Sequence, residues 1–184
     1  MRHRLFVALN LPLSLQEEIF CLASRYPELP AKWTRKENLH ITLQFLGNAS
    51  EENIGRISES LKKIAQKHAP FHLTTEAVAY GPSRKNPRMI WITLEESPKL
   101  RNLWEDISSG LSKSGFSPEH SELTPHITLA RINQMLFRQM DAEERASIEE
   151  ELRLEFPVSS LDLMDSSLRP GGSEYEILES FQLQ

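Results

Sequence analysis

The chain has little cysteine and little glycine: one cysteine, Cys21, and seven glycines among 184 residues. A lone cysteine excludes an intramolecular disulfide framework and is typical of a reducing cytosol, and its place on an apolar helical stripe predicts a buried thiol. Few glycines and 39% apolar residues argue against a fibrous chain. We therefore expect a folded, cytoplasmic protein with a substantial hydrophobic core.

Long apolar runs and an excess of positive charge are also absent. No segment approaches the roughly 20 apolar residues of a membrane span, and the N-terminus does not resemble a secretory signal. The net charge is −5, which argues against indiscriminate binding along duplex nucleic acid, where a strongly basic face is expected. Recognition of one nucleotide at the end of a strand stays open.

The feature that stands out is the tetrapeptide His-Ile-Thr-Leu, which begins at His40 and again at His126. Side chains alternate between the two faces of a strand, so His40 and Thr42 share one face, as do His126 and Thr128, while the apolar neighbours share the other. Each copy predicts a strand with one face in the core and one facing a cleft. Two imidazoles and two hydroxyls in matched geometry suit acid–base chemistry on a phosphate.

The repeat extends beyond the tetrapeptide, because a strand–helix–motif strand–helix–strand order occurs twice. The first unit, about 4–80, is predicted as a strand from Arg4 to Leu9, a helix opened by a capping box at Ser14, the motif strand, a helix capped by Ser50 and a strand from Phe71 to Tyr80. The second unit, about 88–164, begins with a predicted strand from Arg88 to Leu94 and a helix from Ser97-Pro98 to Gly115. The motif strand follows from Leu123 to Arg131. After a loop over 133–140 come a helix near 141–144 and a strand from Val158 to Met164.

A last strand from Tyr175 to Leu183 completes the single domain, 1–184, which we expect to consist of two intertwined lobes. Two similar units that pack about a pseudo-twofold axis bring equivalent faces together. The two motif strands would then meet across a central groove. Neither half alone would hold both histidines.

These segments resemble the 2H phosphoesterase superfamily, and within it the RNA 2′,3′-cyclic phosphodiesterase family, also called 2′-5′ RNA ligases. The stretches that carry the resemblance are 4–9 with Pro12, 33–47, 124–131 and 167–175, so that it spans essentially the whole chain. It implies an α+β, bilobal fold in which two antiparallel sheets line a cleft, helices cover the outside and no metal or other cofactor is needed.

The resemblance also implies an activity and roles for residues. The family opens the 2′,3′-cyclic phosphate at an RNA 3′ end to a 2′-phosphate and can reversibly form 2′-5′ linkages in tRNA halves. By this resemblance His40 is the general acid and His126 the general base, while Thr42 and Thr128 bind phosphate oxygens. The partner is then the RNA 3′ end, with no membrane involved, and the protein is expected to be a monomer.

The same resemblance places Phe45 and Arg131, five residues beyond each histidine, in contact with the terminal nucleobase. An aromatic ring and a guanidinium plane suit stacking on any base. In regular strands, however, both would lie on the face opposite their histidines, so core packing of Phe45 and a surface ion pair of Arg131 are open alternatives. Gln44 is expected on the face of His40, where relatives often have arginine.

Three functions are compatible with the sequence. The first is a metal-independent cyclic phosphodiesterase of RNA ends, and the second a related enzyme acting on a small nucleotide. The third is a noncatalytic protein that binds RNA ends. A two-histidine metallohydrolase fits less well, because no carboxylate or third histidine stands at ligand spacing near either motif.

Overall fold

The computed structural model describes residues 3–116, 123–141, 143, 145, 148–169 and 172–184. The strands are β1 (His3–Asn10), β2 (Ala31–Trp33), β3 (His40–Ala49), β4 (Phe71–Gly81), β5 (Met89–Leu94), β6 (His126–Ile132), β7 (Glu149–Glu151), β8 (Glu155–Val158), β9 (Ser160–Arg169) and β10 (Gly172–Gln182). The helices are α1 (Leu13–Phe20), α2 (Glu51–Ala65), α3 (Pro98–Lys113) and α4 (Gln134–Gln139), with short 3-10 turns at Cys21–Arg25 and Lys36–Asn38.

The described strands form a large antiparallel sheet, which confirms the α+β class. Its order is β10-β9-β1-β3-β6-β5-β4-β7, with β2 beside β6 and β8 beside β4. The motif strands β3 and β6 are central neighbours in this order. The two expected sheets are thus continuous with each other across the β3–β6 contact.

Strands are exchanged between the two halves of the sheet. β4 follows β3 and α2 in the chain, but it pairs with β5 in the half that contains β6. β9 follows β6 in the chain, but it pairs with β1 in the half that contains β3. Each half therefore depends on a strand that the other half of the sequence supplies.

Helices α2 and α3 lie against one face of the sheet, and the main core is between them and the strands. Their buried residues are Ile57, Leu61, Ile64 and Ala65 on α2 and Leu100, Leu103, Ile107 and Leu111 on α3. The helices approach closely at Gly110, where a β-carbon would lie 2.8 Å from Cδ1 of Ile64. The other face of the sheet is left for the polar residues of the motifs.

Two predicted helix starts are confirmed by their capping bonds. The Ser50 hydroxyl accepts a hydrogen bond from the backbone N–H of Asn53 at 3.4 Å, and the Ser97 hydroxyl accepts one from the N–H of Leu100 at 3.3 Å. The prediction for α1 was wrong in detail, because the helix begins at Leu13 after Pro12 and Ser14 lies inside it. Pro12 is the N-cap residue, its ring fixes the backbone angle φ at this entry, and it makes no side-chain capping bond.

Three further expectations differ from the structure. Cys21 is exposed rather than buried, because α1 ends at Phe20 and the 3-10 turn that follows changes the helical phase. The segment predicted as the loop 133–140 contains α4, whose start is capped by the Asn133 side chain, an acceptor for the N–H groups of Met135 and Leu136. The helix predicted near 141–144 falls partly on residues 142 and 144, outside the described residues.

Candidate active site

The two motif strands pair antiparallel at Ile41 and Ile127, and both side chains point into the main core. The flanking motif residues therefore share the opposite face, with His40 beside Thr128 and Thr42 beside His126. Diagonal positions in such a pair are about 7–8 Å apart. The structure thus brings the two histidines and two threonines together as one cluster around a pseudo-twofold axis.

A β-bulge follows the threonine in both motif strands. On β3, Leu43 and Gln44 together lie opposite one residue of β1, and on β6, Leu129 and Ala130 lie opposite one residue of β5. The extra residue reverses the alternation of faces beyond it. Sequence reasoning assumed regular strands and therefore placed the residues after the bulge on the wrong face.

The bulges have opposite consequences for Gln44 and for the residues that follow. Gln44 is 3% exposed and lies on the buried face, so its expected position beside His40 was wrong. Phe45 is 52% exposed and Arg131 is also exposed, and both lie on the face of the histidines. Because β3 and β6 are antiparallel, Phe45 and Arg131 flank the four motif residues from opposite ends.

The two imidazoles are held by the same kind of hydrogen bond. Nδ1 of His40 donates to the carbonyl oxygen of Asn38 at 2.7 Å, and Nδ1 of His126 donates to that of Thr124 at 2.7 Å. A carbonyl oxygen only accepts, so Nδ1 carries the proton in both rings and Nε2 has the free lone pair. Nε2 of His40 is 3.1 Å from the hydroxyl of Thr42, which donates to it. The reactive nitrogen of His40 therefore lies in contact with the motif threonine of its own strand.

Both imidazoles have a pKa below the ordinary value of histidine. Burial lowers the pKa of His40 to about 4, and the nearby charges of His126 and Arg131 also lower it. The hydrogen bond to the carbonyl of Asn38 acts in the opposite direction and raises this pKa. Burial also lowers the pKa of His126, with a further contribution from Arg131. Neutral imidazoles, ready to accept a proton, are thus the resting state near neutral pH.

Aromatic rings surround the two histidines differently. His126 stacks on the indole of Trp91, with ring centroids 3.7 Å apart and an angle of 19° between the planes. His40 contacts Phe6, tilted at 38°, and Tyr175, nearly perpendicular at 88°, each with centroids 5.1 Å away. The two halves of the cluster are therefore alike in their polar residues and unlike in their packing.

Sequence reasoning missed these aromatic residues as members of the site. It gave no site role to Trp91 in the predicted strand 88–94 or to Tyr175 in the stretch 167–175. The register explains their position, because Trp91 lies directly opposite Thr128 on the neighbouring strand, as Ala8 lies opposite Thr42. The site position of Trp91 could have been predicted from the strand 88–94. Side chains alternate along a strand, so Trp91 lies on the face opposite to that of Ile90 and Ile92.

A buried carboxylate lies on the same face, behind His40. Asn10 pairs with His40 across β1 and β3, and its amide donates to Asp162 at 2.8 Å. Asp162 is 3% exposed and also accepts a hydrogen bond from the Ser180 hydroxyl. The opposite half has a related pair, in which the hydroxyl of Thr93 donates to Glu76 at 3.3 Å. Each histidine thus faces a polar residue that is held by a carboxylate.

The described residues contain neither a cluster of metal ligands nor a membrane-spanning helix. No three histidine, cysteine, aspartate or glutamate side chains in this part of the chain gather in a way that could hold a metal ion. Among the helices of the same residues, none has the length and apolar character to cross a bilayer.

The sequence of this chain is similar to a known family of phosphoesterases. The model of the family described as LigT like Phosphoesterase matches twice, over residues 9–91 and 92–175, and each match contains one motif. Among curated relatives, the RNA 2′,3′-cyclic phosphodiesterase of Archaeoglobus fulgidus is 31% identical, over 97% of this chain and 99% of the relative. That of Aquifex aeolicus is 31% identical, over 85% of this chain and 84% of the relative.

Solved structures agree with the sequence comparisons. The crystal structure of TT0787 from Thermus thermophilus superposes with a TM-score of 0.84 at 27% identity, covering 98% of this chain and 97% of that one. E. coli LigT complexed with 3′-AMP gives a TM-score of 0.82 at 26% identity, covering 100% of this chain and 99% of that one. With both motifs on one face of one sheet, this chain belongs to the LigT-like phosphoesterases of the 2H superfamily.

Proposed function

We propose that this protein hydrolyses the 2′,3′-cyclic phosphate at RNA 3′ ends to a 2′-phosphate. The observation that carries the proposal is the single cluster of His40, Thr42, His126 and Thr128 around the Ile41–Ile127 pair. The curated relatives support it, since they are named RNA 2′,3′-cyclic phosphodiesterase at similar chain length. In a 2′-5′ ligation by the same cluster, the 5′ hydroxyl of a second RNA takes the place of water: its oxygen bonds to phosphorus, the bond to O3′ breaks, and the protons move as in hydrolysis.

The reaction needs one proton acceptor and one proton donor. One neutral imidazole takes a proton from water, and the oxygen of that water forms a bond to phosphorus. The bond from phosphorus to the ribose O3′ breaks, and the second imidazole, in its protonated form, gives its proton to O3′. The bond to O2′ remains, so the product is a 2′-phosphate. Each acid or base role contributes about 10²–10⁴-fold.

The threonines and the flanking residues bind the substrate in this proposal. When the substrate is bound, the Thr42 hydroxyl gives up its bond to Nε2 of His40, and the hydroxyls of Thr42 and Thr128 donate to nonbridging phosphate oxygens, where negative charge grows in the transition state. Phe45 and Arg131 bind nucleobases by stacking, and their exposure on the histidine face supports this role. The charge of Arg131 also favours binding of the phosphate anion, because it lies near enough to lower the pKa of both histidines.

The remaining expectations complete the proposal. The substrate is an RNA end such as that of a tRNA half, and the protein acts as a cytoplasmic monomer. The single domain derives from two duplicated units, about 4–80 and 88–164, and the two consecutive matches of the family model support this origin.

The experiment that tests the proposal is incubation with an RNA that ends in a 2′,3′-cyclic phosphate, in buffer with EDTA, followed by identification of the product isomer. A 2′-phosphate formed without loss of rate in EDTA is the expected result. A 3′-phosphate would show a different regiochemistry, and a rate abolished by EDTA would show that a metal is needed. Tight binding without turnover would show an RNA-end binding protein instead.

A further inference from the structure

We propose that Asn10 binds the nucleophilic water of the reaction: its side-chain oxygen Oδ1 accepts one hydrogen of that water while Nε2 of His40 takes the other. Asp162 is the positioning residue that holds the amide of Asn10 in this orientation. The inference rests on the proposed function and adds to it how the nucleophile is selected and oriented. Asn10 and Asp162 lie outside both motifs, on β1 and β9.

Asn10 is the last residue of β1, and it lies directly opposite His40 of β3. Residues that face each other across an antiparallel pair leave the sheet on the same face, with β-carbons about 4.5–5.5 Å apart. Two hydrogen bonds of about 2.8 Å through one water molecule span such a gap. The preceding residue, Leu9, points the other way into the main core. The side chain of Asn10 is only partly buried, so it is accessible from the face that carries the motif cluster.

The hydrogen bonds of Asn10 fix which way its amide points. Nδ2 donates to Oδ2 of Asp162 at 2.8 Å and to the sulfur of Met164 at 3.4 Å. A carboxylate accepts hydrogen bonds, so the NH2 group of the amide, and not its oxygen, must face Asp162. Both partners belong to β9, and β9 and β3 lie on opposite sides of β1. The planar amide therefore turns Oδ1 away from β9, toward the side of β1 on which His40 lies.

Asp162 is suited to hold this orientation because it is buried and has a second partner. Its other oxygen accepts a hydrogen bond from the Ser180 hydroxyl. Asp162 pairs with Ala8 on β1 and with Ser180 on β10, so the strands on both sides fix its position. Rotation of the Asn10 amide would leave one oxygen of this buried carboxylate without a donor, which is costly. The amide of Asn10 is thus held in one orientation.

Water needs two acceptors because it has two hydrogens. When its oxygen forms the bond to phosphorus, one proton goes to Nε2 of His40, and the second hydrogen stays on the oxygen, which becomes a hydroxyl of the product phosphate. The bond from phosphorus to O3′ breaks, and the protonated His126 gives its proton to O3′. With one hydrogen directed to His40 and the other to Oδ1 of Asn10, the lone pairs of water face phosphorus, which is the orientation that attack requires.

An acceptor beside His40 suits the base rather than the acid. The acid must approach O3′, on which negative charge develops as the bond to phosphorus breaks, and a carbonyl oxygen at that place would repel the charge. Water at the same place donates hydrogens and is attracted. The residue opposite His126 is Thr93, whose hydroxyl can donate as well as accept. Burial, which lowers the pKa of His40 to about 4, agrees with this role because it keeps the imidazole neutral.

Methanol tests the inference because it is a nucleophile with a single O–H hydrogen. That hydrogen goes to His40, and the methyl group has nothing to donate to Asn10. In a water–methanol mixture, water opens a 2′,3′-cyclic nucleotide to a 2′-phosphate, and methanol opens it to the methyl ester of the 2′-phosphate. We expect Asn10→Ala to raise the ratio of methyl ester to 2′-phosphate about tenfold, the size of one hydrogen bond. Both products come from the same folded protein, so the ratio does not depend on how much of the variant folds.

Further variants separate the hydrogen bond from other effects. Asn10→Leu fills the space of asparagine without an acceptor, and we expect it to raise the ratio as Asn10→Ala does. Asp162→Ala, which frees the amide of Asn10, should raise the ratio as well, whereas Asp162→Asn still offers an oxygen to Nδ2 and should keep the ratio near that of the wild type. Asn48→Ala removes an exposed asparagine at the far end of β3 and is the matched control that leaves the ratio unchanged.

The outcomes distinguish this inference from the proposed function. A ratio that is unchanged in Asn10→Ala, that rises in Asn10→Ala but not in Asn10→Leu, or that rises equally in Asn48→Ala would overturn the inference and leave the proposed function intact. Equal loss of both products in every Asn10 variant would also overturn it, since Asn10 would then serve the fold or substrate binding. Absence of both products in the wild type would instead overturn the proposed function, and the inference with it.

Discussion

The indole of Trp91 covers one face of the His126 imidazole, with the ring centroids 3.7 Å apart. The face of an indole attracts positive charge, so this contact opposes part of the lowering that burial and Arg131 impose on the pKa of His126. His40 has no comparable stack among its described neighbours, and its pKa is lowered to about 4. The surroundings therefore favour His126 as the proton donor, the reverse of the assignment that the family resemblance implies.

This assignment can be tested with a leaving group that needs no proton. Bis(4-nitrophenyl) phosphate releases a stable phenolate, so loss of the general acid costs little on this substrate, whereas loss of the general base remains costly. We predict that His126→Ala recovers much of the wild-type rate on it, while His40→Ala does not. Recovery in His40→Ala alone would restore His40 as the acid.

On the cyclic phosphate itself, both histidines are required. We predict that His40→Ala and His126→Ala each lower kcat for a 2′,3′-cyclic nucleotide by about 10²–10⁴-fold, because each removes one proton-transfer role. Circular dichroism and the melting temperature check that the fold persists. Turnover near that of the wild type in either variant would contradict the two-histidine mechanism.

The pH dependence follows from the direction of the pKa shifts. The profile of kcat/KM reports the free protein, in which burial lowers the pKa of both histidines, that of His40 to about 4. The base must be neutral and the acid protonated, so we predict a bell with its maximum below about pH 6.5, the ordinary pKa of histidine, and a decline toward neutral and alkaline pH as the acid loses its proton. A maximum on the alkaline side of neutrality would show that the free-protein values are not lowered.

Arg131 provides a second test of this profile. Its positive charge lowers the pKa of both imidazoles, so Arg131→Ala is expected to shift both limbs of the bell toward higher pH, in addition to weakening substrate binding. The control is Arg101→Ala on α3, which removes the ion-pair partner of Glu96. It should leave the pH of both limbs of the bell unchanged.

Gly81 is predicted to control the position of Trp91. A β-carbon at residue 81 would lie 2.2 Å from Cδ2 of the indole, so Gly81→Ala must displace the ring that stacks on His126. We expect a loss of stability of about 1–3 kcal/mol and a lower kcat, measured by denaturant unfolding and by turnover.

The matched control is Gly55→Ala on α2, where no atom lies within 4 Å of the added β-carbon. Since alanine is favoured over glycine inside a helix by about 0.5–1 kcal/mol, this variant should be more stable and fully active. Equal behaviour of Gly81→Ala and Gly55→Ala would contradict the proposed role of the Trp91 contact.

The threonines give a conservative test of phosphate binding. Thr128→Val keeps the shape of the side chain but removes its hydroxyl, and we predict a fall in kcat of about 10- to 100-fold, near the range for loss of a donor to the transition state. Thr128→Ser retains the hydroxyl and should retain most of the activity. Equal losses in both variants would indicate a packing role instead.

The sequence predicted the parts of this site that depend on local pattern. The two motif strands, the caps at Ser50 and Ser97 and the clustering of four motif residues follow from alternation, capping and repetition. These features involve residues a few positions apart in the chain. They also tolerate small errors in the predicted ends of the strands.

Features that depend on pairing between strands could not be predicted in the same way. The bulges at Leu43 and Leu129 arise where two residues of one strand face one residue of its neighbour, and nothing in the local pattern marks them. One extra residue was enough to bring Phe45 and Arg131 to the face of the histidines. The place of Trp91 opposite Thr128 likewise follows from register rather than from its own neighbours in the sequence.

The exchange of β4 and β9 limits how this chain can be divided. A cut within 82–87 would separate β4 from β5 and β9 from β1, so each fragment would carry a strand whose hydrogen-bonding partner belongs to the other. Neither fragment would have a complete sheet, and each would expose apolar strand edges prone to aggregation. Activity would then return only through complementation, when both fragments are present and refold together.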